Sequence, residues 1–275
     1  MKERILITVK TYPTLSTKYE ETVCTAGLRE DGSWVRLYPV PFRKLEEYKK
    51  YHKYQWMTVK LHSRGGKDRR PESFVPEIDT IEMGEIISPA HQWSERCRFV
   101  LEKGIIYDDM TKLIELANEN TLSLATYKPK EILDLIVEPV ERNWPKEKLK
   151  LLRNKHRQGD LFGDPDQFEK DFKVVEKLPY KFSYLFEDKN GEIRKLMIED
   201  WEIGALYWNC LKKAKGDEQI AIQKVREKYL DDFVQKRDLY LFVGTTLRFH
   251  GWTPNPFVII GTFTPPKNRI LGLGL

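Results

Sequence analysis

The chain has 275 residues, 40% hydrophobic and 12% aromatic, which is enough apolar material for one large core or two ordinary ones and too much for a disordered chain. Charged residues make up 32%, the net charge is only +5, and no apolar run reaches the roughly 18–20 residues that span a membrane. Cys24, Cys97 and Cys210 are odd in number and form no Cys-x-x-Cys unit, which argues against a disulfide framework or a zinc site and for a reducing cytoplasm.

Strand signals fill the first third. Residues 4–11 are the first candidate; the apolar run there turns polar at Lys10 without a cleavage site, so it reads as a strand and not a signal peptide. Residues 21–28 and 33–40 flank Arg29-Glu30-Asp31-Gly32, where Asp-Gly marks a tight hairpin. Cys24 is expected to be a buried strand residue. Residues 54–63 alternate Gln55, Met57, Val59 and Leu61 against Trp56, Thr58 and Lys60, while Pro39 and Pro41 stop any helix before them. Several short strands with little helix predict a small β-barrel-like region over 1–90.

Helical spacing follows. Met110, Leu113, Ile114 and Ala117 recur at helical intervals behind Asp109, a residue suited to cap them. Pro129 and Pro145 stand at first-turn positions ahead of predicted helices over 130–137 and 146–155. The middle, 91–152, is therefore expected to be helical. Residues 153–175 are polar and lack a period, and read as an exposed linker.

In 176–275, segments 181–186 and 192–198 flank Asn190-Gly191, the strongest short hairpin signal. Asp200 is placed to cap a helix over 201–213. A second helix over 217–235 carries Ala221, Val225, Tyr229 and Phe233 on one face. Strands over 239–245 and 257–263 close the chain, joined by a loop with Arg248, His250, Trp252, Pro254 and Pro256. The predicted class is α+β: an N-terminal barrel, a helical middle and a C-terminal ββααββ domain.

Charge points to a partner. From residue 43 to 70 ten Lys/Arg face three acids, a surplus of seven that exceeds the net charge of the whole chain. Aromatics are interleaved with the arginines at its start. That combination is the footprint of nucleic acid, since Lys/Arg release condensed counterions and flat rings stack on bases. The expected contacts are Arg36, Arg43, Lys67, Arg69 and Arg70 as phosphate clamps, with Trp34, Tyr38 and Phe42 as stacking faces. The Gly-Gly-Lys-Asp-Arg-Arg loop at 65–70 suits phosphate approach, but lacks the Gly-Lys-Ser/Thr ending of a P-loop. Arg36 has an alternative reading as an internal ion pair. The expectation is a cytoplasmic nucleic-acid-binding protein, preferring DNA to RNA, in repair, restriction or phage defence.

A second reading is catalytic. Glu199, Asp200 and Glu202 follow a predicted strand, where metal-dependent nucleases hold Mg²⁺; Asp200 and Glu202 serve equally well as a helix cap and a dipole-favoured acid. The five histidines form no zinc-hydrolase pair, and no nucleophile elbow or dinucleotide fingerprint is present, so no metal and no cofactor other than that Mg²⁺ is expected.

Three resemblances add to this. Gln158-Gly159-Asp160-Leu161-Phe162 resembles the peptide by which bacterial polymerases and repair proteins hold the sliding clamp, which implies that Gln158 hydrogen-bonds in the clamp pocket while Leu161 and Phe162 fill its floor. A protein-interaction module recruited to the clamp is thus a third reading. The blocks Lys10-Thr11-Tyr12-Pro13, Thr22-Val23-Cys24-Thr25-Ala26-Gly27, Arg36-Leu37-Tyr38-Pro39, Asp200-Trp201-Glu202 and Asn255-Pro256-Phe257-Val258-Ile259-Ile260-Gly261 look like those of an uncharacterised bacterial family, without an activity attached. The N-terminal third is similar in outline to PUA-type barrels, which bind RNA or modified DNA bases.

Overall fold

Strand β1 (Lys2–Lys10) explains the plan of the molecule in the computed structural model, which describes residues 2–16, 20–65, 68–159 and 174–267. Its centre, Ile5-Leu6-Ile7-Thr8-Val9, is buried on both faces. Ile5 and Ile7 point into the barrel beside Val35, Leu37, Met57 and Val59. Leu6 and Val9 join the opposite cluster, with Leu124, Phe242, Ile260 and Phe263 from the second half of the chain. A bulge between Ile7 and Val9 lets Val9 follow Leu6 to the outer side, which strict alternation forbids.

The barrel closes through five strands. β1 pairs antiparallel with β3 (Glu20–Leu28) and with β5 (Gln55–Ser63). β3 pairs with β4 (Trp34–Val40), β4 runs parallel to β6 (Ser73–Pro76), and β6 returns to β5. β2 (Thr14–Ser16) and β7 (Glu82–Ile86) add to β3 and β5 outside this ring. Gly32, at φ 85°, makes the β3–β4 turn that Asp-Gly predicts.

The second half runs α1 (Ala90–Cys97), β8 (Ile106–Tyr107), α2 (Met110–Asn118), β9 (Leu124–Tyr127), β10 (Glu131–Pro139), α3 (Lys146–Gly159), β11 (Tyr180–Glu187), β12 (Ile193–Met197), α4 (Trp201–Lys213), α5 (Glu218–Arg226), β13 (Tyr240–Thr245) and β14 (Phe257–Phe263). Two sheets carry it, ordered β10-β11-β12 and β14-β13-β9-β8. Helices α2, α4 and α5 pack on them through Leu113, Tyr207 and Val225, and the wide turn Glu227–Asp232 after α5 adds Tyr229. Asp109, Asp200 and Asp217 cap α2, α4 and α5, each accepting a backbone N–H in the first turn. Among the described residues no helix is long and apolar enough to cross a membrane.

Four expectations change. Residues 130–137 are strand β10, not a helix: Ile132, Ile136 and Val137 are β-branched, and the segment zips antiparallel along β11 from Glu131 to Pro139. The middle 91–152 is thus not purely helical, and the ββααββ run does not keep its sheets to itself, since β13 pairs with β9 and β11 with β10. The segment read as a linker begins inside α3, which continues to Gly159; residues 160–173 lie outside the described part.

Candidate nucleic-acid interface

Alternation along β4 decides the fate of the arginine expected to clamp phosphate. Val35 and Leu37 face the barrel interior, so Trp34, Arg36 and Tyr38 face outward. The outer wall here is covered by β9 and β13, and Arg36 is left only 1% exposed. Its guanidinium donates to Ser73 Oγ at 3.0 Å, Ser123 Oγ at 2.6 Å and the Ser123 carbonyl at 3.0 Å. Among the described residues no carboxylate touches it directly; Glu72 stands one step back, accepting from Ser123 N at 2.9 Å and Ser123 Oγ at 2.5 Å. Burial, then the neighbouring Arg70, lowers its pKa to about 10. Arg36 is a rivet between the two halves.

Arg70 is buried as well. It straddles Asp68, Nε to Oδ1 at 2.9 Å and Nη2 to Oδ2 at 2.8 Å, and donates to the Thr245 carbonyl at 2.6 Å. Arg64 adds a second cation to Asp68 at 2.8 Å, with its guanidinium 4.9 Å from the centre of the Tyr38 ring. Phe42 packs against Tyr51 and Trp201 at the barrel end, and Trp34 lies edge-on to Phe242. These rings build structure. Much of the local positive charge is likewise matched by acids from elsewhere in the chain: Arg43 pairs with Glu21, Lys49 with Asp79 besides its neighbour Glu46, Lys53 with Asp200 and Glu202, and Lys60 with Glu77. A surplus counted along the sequence is therefore not a surplus in space. Lys67 lies outside the described residues.

Arg69 differs. Between the buried Asp68 and Arg70 its side chain is exposed, and among the described residues it has no ion-pair partner. It lines a cleft of about 520 Å³ with Asn118, Asn120, His250 and Trp252. The Arg70–Thr245 bond fixes this adjacency, because Thr245 ends β13 and the 246–256 loop leaves from it. The loop is tightly built: Phe249 N and His250 N both donate to the Thr246 carbonyl, Gly251 turns at φ 82°, and Thr253 Oγ1 donates to the Phe249 carbonyl. His250 bridges Thr245 Oγ1 at 3.0 Å and Asn120 Oδ1 at 2.7 Å; burial, then Arg70 and Arg36, lowers its pKa. Trp252 is 68% exposed, and its indole N–H is already used on the Arg248 carbonyl at 2.7 Å. What it offers a partner is a ring face. Phe249 lies 5.9 Å away, centre to centre, with the Arg248 guanidinium 5.3 Å from the Phe249 ring.

The acids of the catalytic reading are arranged differently. Asp200 is fully buried, caps α4 and receives Lys53 Nζ at 3.0 and 3.2 Å; Glu202 takes the same ammonium at 2.8 Å. Burial raises the Asp200 pKa to about 6 against the opposing pull of Lys53. Burial also raises Glu199. A lysine occupies the position a cation would take between Asp200 and Glu202, and among the described residues no group of three or more His, Cys, Asp or Glu is placed to hold a metal ion. Beside this network Lys10 stands over the Phe42 and Trp201 rings at 4.0 and 4.3 Å, its pKa lowered to about 8 by burial and Lys53. Nothing in the sequence signals the Lys53–Asp200 contact, which joins residues far apart in the chain. Leu161 and Phe162 of the clamp-like peptide, and the side chain of Gln158, lie outside the described part.

No curated protein matches the chain. Residues 1–102 match the family model described as Domain of unknown function (DUF8758). That match ends with the wide turn Arg98–Glu102 that follows α1, and the next begins within β8. Residues 107–273, more than half of the chain, match the model described as Domain of unknown function (DUF8757), and the chain belongs to that family.

Proposed function

We propose that the protein binds nucleic acid, DNA in preference to RNA, through the face formed by Arg69 and the 246–256 loop, and serves in DNA repair, restriction or phage defence. The observation that carries the reading is Trp252: a largely exposed ring held by its own loop, with its N–H satisfied, lining one cleft with the exposed Arg69, while the exposed Arg248 of the same loop lies over Phe249. A π-face with guanidinium groups in reach suits an unpaired base with its phosphates, and a preordered ring loses little entropy on stacking. Compared with the sequence expectation, Arg36, Arg43 and Arg70 are engaged within the protein, Arg69 is kept, Lys67 lies outside the described residues, and Arg248, Phe249 and Trp252 are added.

The test is a titration of labelled single- and double-stranded DNA and RNA of equal sequence at about 50 and about 200 mM salt. Affinity is expected to fall with salt, and Arg69→Ala to reduce the slope of log affinity against log salt by about one. Trp252→Ala is expected to cost about 1–3 kcal/mol of binding, the value of one stacked base, while leaving the melting temperature unchanged. Absence of binding at about 10 μM and low salt, or full affinity in the Trp252→Ala/Arg69→Ala double variant, would sink the proposal.

A further inference from the structure

A second cavity, of about 580 Å³, opens where the barrel meets α4 and the wide turn after α5. Its lining mixes charged and aromatic groups. Four cations line it, Lys53, Arg96, Lys228 and Arg237. Arg96 is laid flat over the Tyr54 and Trp93 rings at 4.1 and 5.0 Å, and spends Nε and Nη2 on the Ile87 carbonyl, which leaves Nη1. Lys228 and Arg237 share a single counter-ion, Asp232, at 2.5 and 3.1 Å. Glu202, in the same lining, keeps one oxygen after Lys53 has taken Oε2. Trp93 and Phe233 add aromatic surface.

Two features single this cavity out. Tyr229 lines it, is 1% exposed, and its hydroxyl has no hydrogen-bond partner among the described residues. A buried hydroxyl is ordinarily satisfied, so one left without a partner on a residue that lines a cavity is an unfilled contact. Burial, then Asp200 and Glu202, raises its pKa, so it remains a donor at neutral pH. The wall is also built from strained backbone: Tyr54 sits at φ 61°, and His91, Gln92 and Trp93 follow one another at 50°, 54° and 65°. Non-glycine residues in the left-handed region persist where packing holds them, and such strain gathers at binding sites.

We propose that this cavity binds a nucleotide, its phosphate against Arg96, Lys228 and Arg237 and its base between Trp93 and Phe233, with Glu202 and the Tyr229 hydroxyl reading the base edge. Planar guanidinium groups match phosphate oxygens, the cavity falls within the usual size of small-ligand sites, and several cations, two aromatic rings and one free carboxylate oxygen in a single lining fit an anionic molecule with a flat ring that carries amino donors. The site is distinct from the Arg69–Trp252 face, and each proposal stands or falls alone.

Calorimetric titration of the full chain with AMP, GMP, CMP, UMP, adenosine and inorganic phosphate tests it. At least one monophosphate is expected to bind about tenfold more tightly than adenosine or phosphate. Tyr229→Phe, which removes an unpartnered hydroxyl and keeps the ring, is expected to weaken that nucleotide about fivefold with the melting temperature unchanged, and Lys228→Ala to weaken it further. No heat from any monophosphate up to about 1 mM overturns the proposal. So does phosphate binding as tightly as the nucleotides, or wild-type affinity in both variants.

Discussion

Lys53→Met probes the buried ion pair that fastens the barrel to α4. Lys53 is a four-carbon stem ending between Asp200, which has no exposed surface, and Glu202, which is half exposed. Burial would lower the Lys53 pKa, yet the two carboxylates outweigh it and raise it, so the ammonium stays charged from acid to well above neutrality. Methionine keeps most of the stem's packing and removes the charge. Asp200 is then left buried with no counter-ion, and breaking a buried pair from one side costs about 3–5 kcal/mol. The loss depends on pH with a definite sign. A carboxyl whose folded-state pKa lies above its unfolded value contributes stability that is complete below 3.8 and lost as pH rises through about 6. Without Lys53 the carboxyl goes higher still, each further unit being worth ~1.4 kcal/mol, so the decline extends towards neutrality. Urea unfolding of wild type and variant at pH 5 and pH 8 reads this directly. The destabilisation at pH 8 is expected to be about 3–5 kcal/mol and to shrink to roughly half or less at pH 5, where Asp200 is protonated. Asparagine caps a helix about as well as aspartate, so Lys53→Met/Asp200→Asn is expected to recover about 2 kcal/mol at pH 8. Equal losses at both pH values, or a double variant no better than the single one, would refute a buried charged pair.

Other substitutions test the packing and capping described above. A Cβ at Gly204 of α4 would fall well inside van der Waals distance of the Tyr12 ring, which is pinned by bonds from its hydroxyl to the Glu176 carbonyl and from Trp208 Nε1. Gly204→Ala is therefore expected to destabilise by about 1–3 kcal/mol in chemical denaturation, despite the better helix propensity of alanine. Asp68→Ala leaves Arg70 buried without its carboxylate and is expected to cost about 3–5 kcal/mol, with Arg69 binding lost alongside because the loop is released. Asp217→Ala removes the acceptor for Gln219 N and Ile220 N and is expected to cost about 1 kcal/mol, measurable as a lowered urea midpoint at unchanged slope.

The sequence by itself determined what depends on neighbours in the chain. Asp-Gly and Asn-Gly turns, aspartate caps and short-period alternation located β3–β4, β11–β12, α2 and α4 within a residue or two, because backbone sterics and local hydrogen bonds act over a few positions. Segment 130–137 shows where that reach ends: its apolar spacing fits helix and strand alike, and pairing with β11, some fifty residues on, selects the strand. The charge surplus over 43–70 shows the same limit in electrostatics. Only the tertiary structure decided which cations stay free, since Glu21, Asp200, Glu202 and Glu77 are distant in sequence and within bonding distance in space. It likewise turned the outward face of β4 into an interior by covering it with β9 and β13, which made Arg36 a rivet and left Arg69 as the exposed arginine beside Trp252. A side chain's alternation is set by its own strand, whereas what covers that face is set by the rest of the chain.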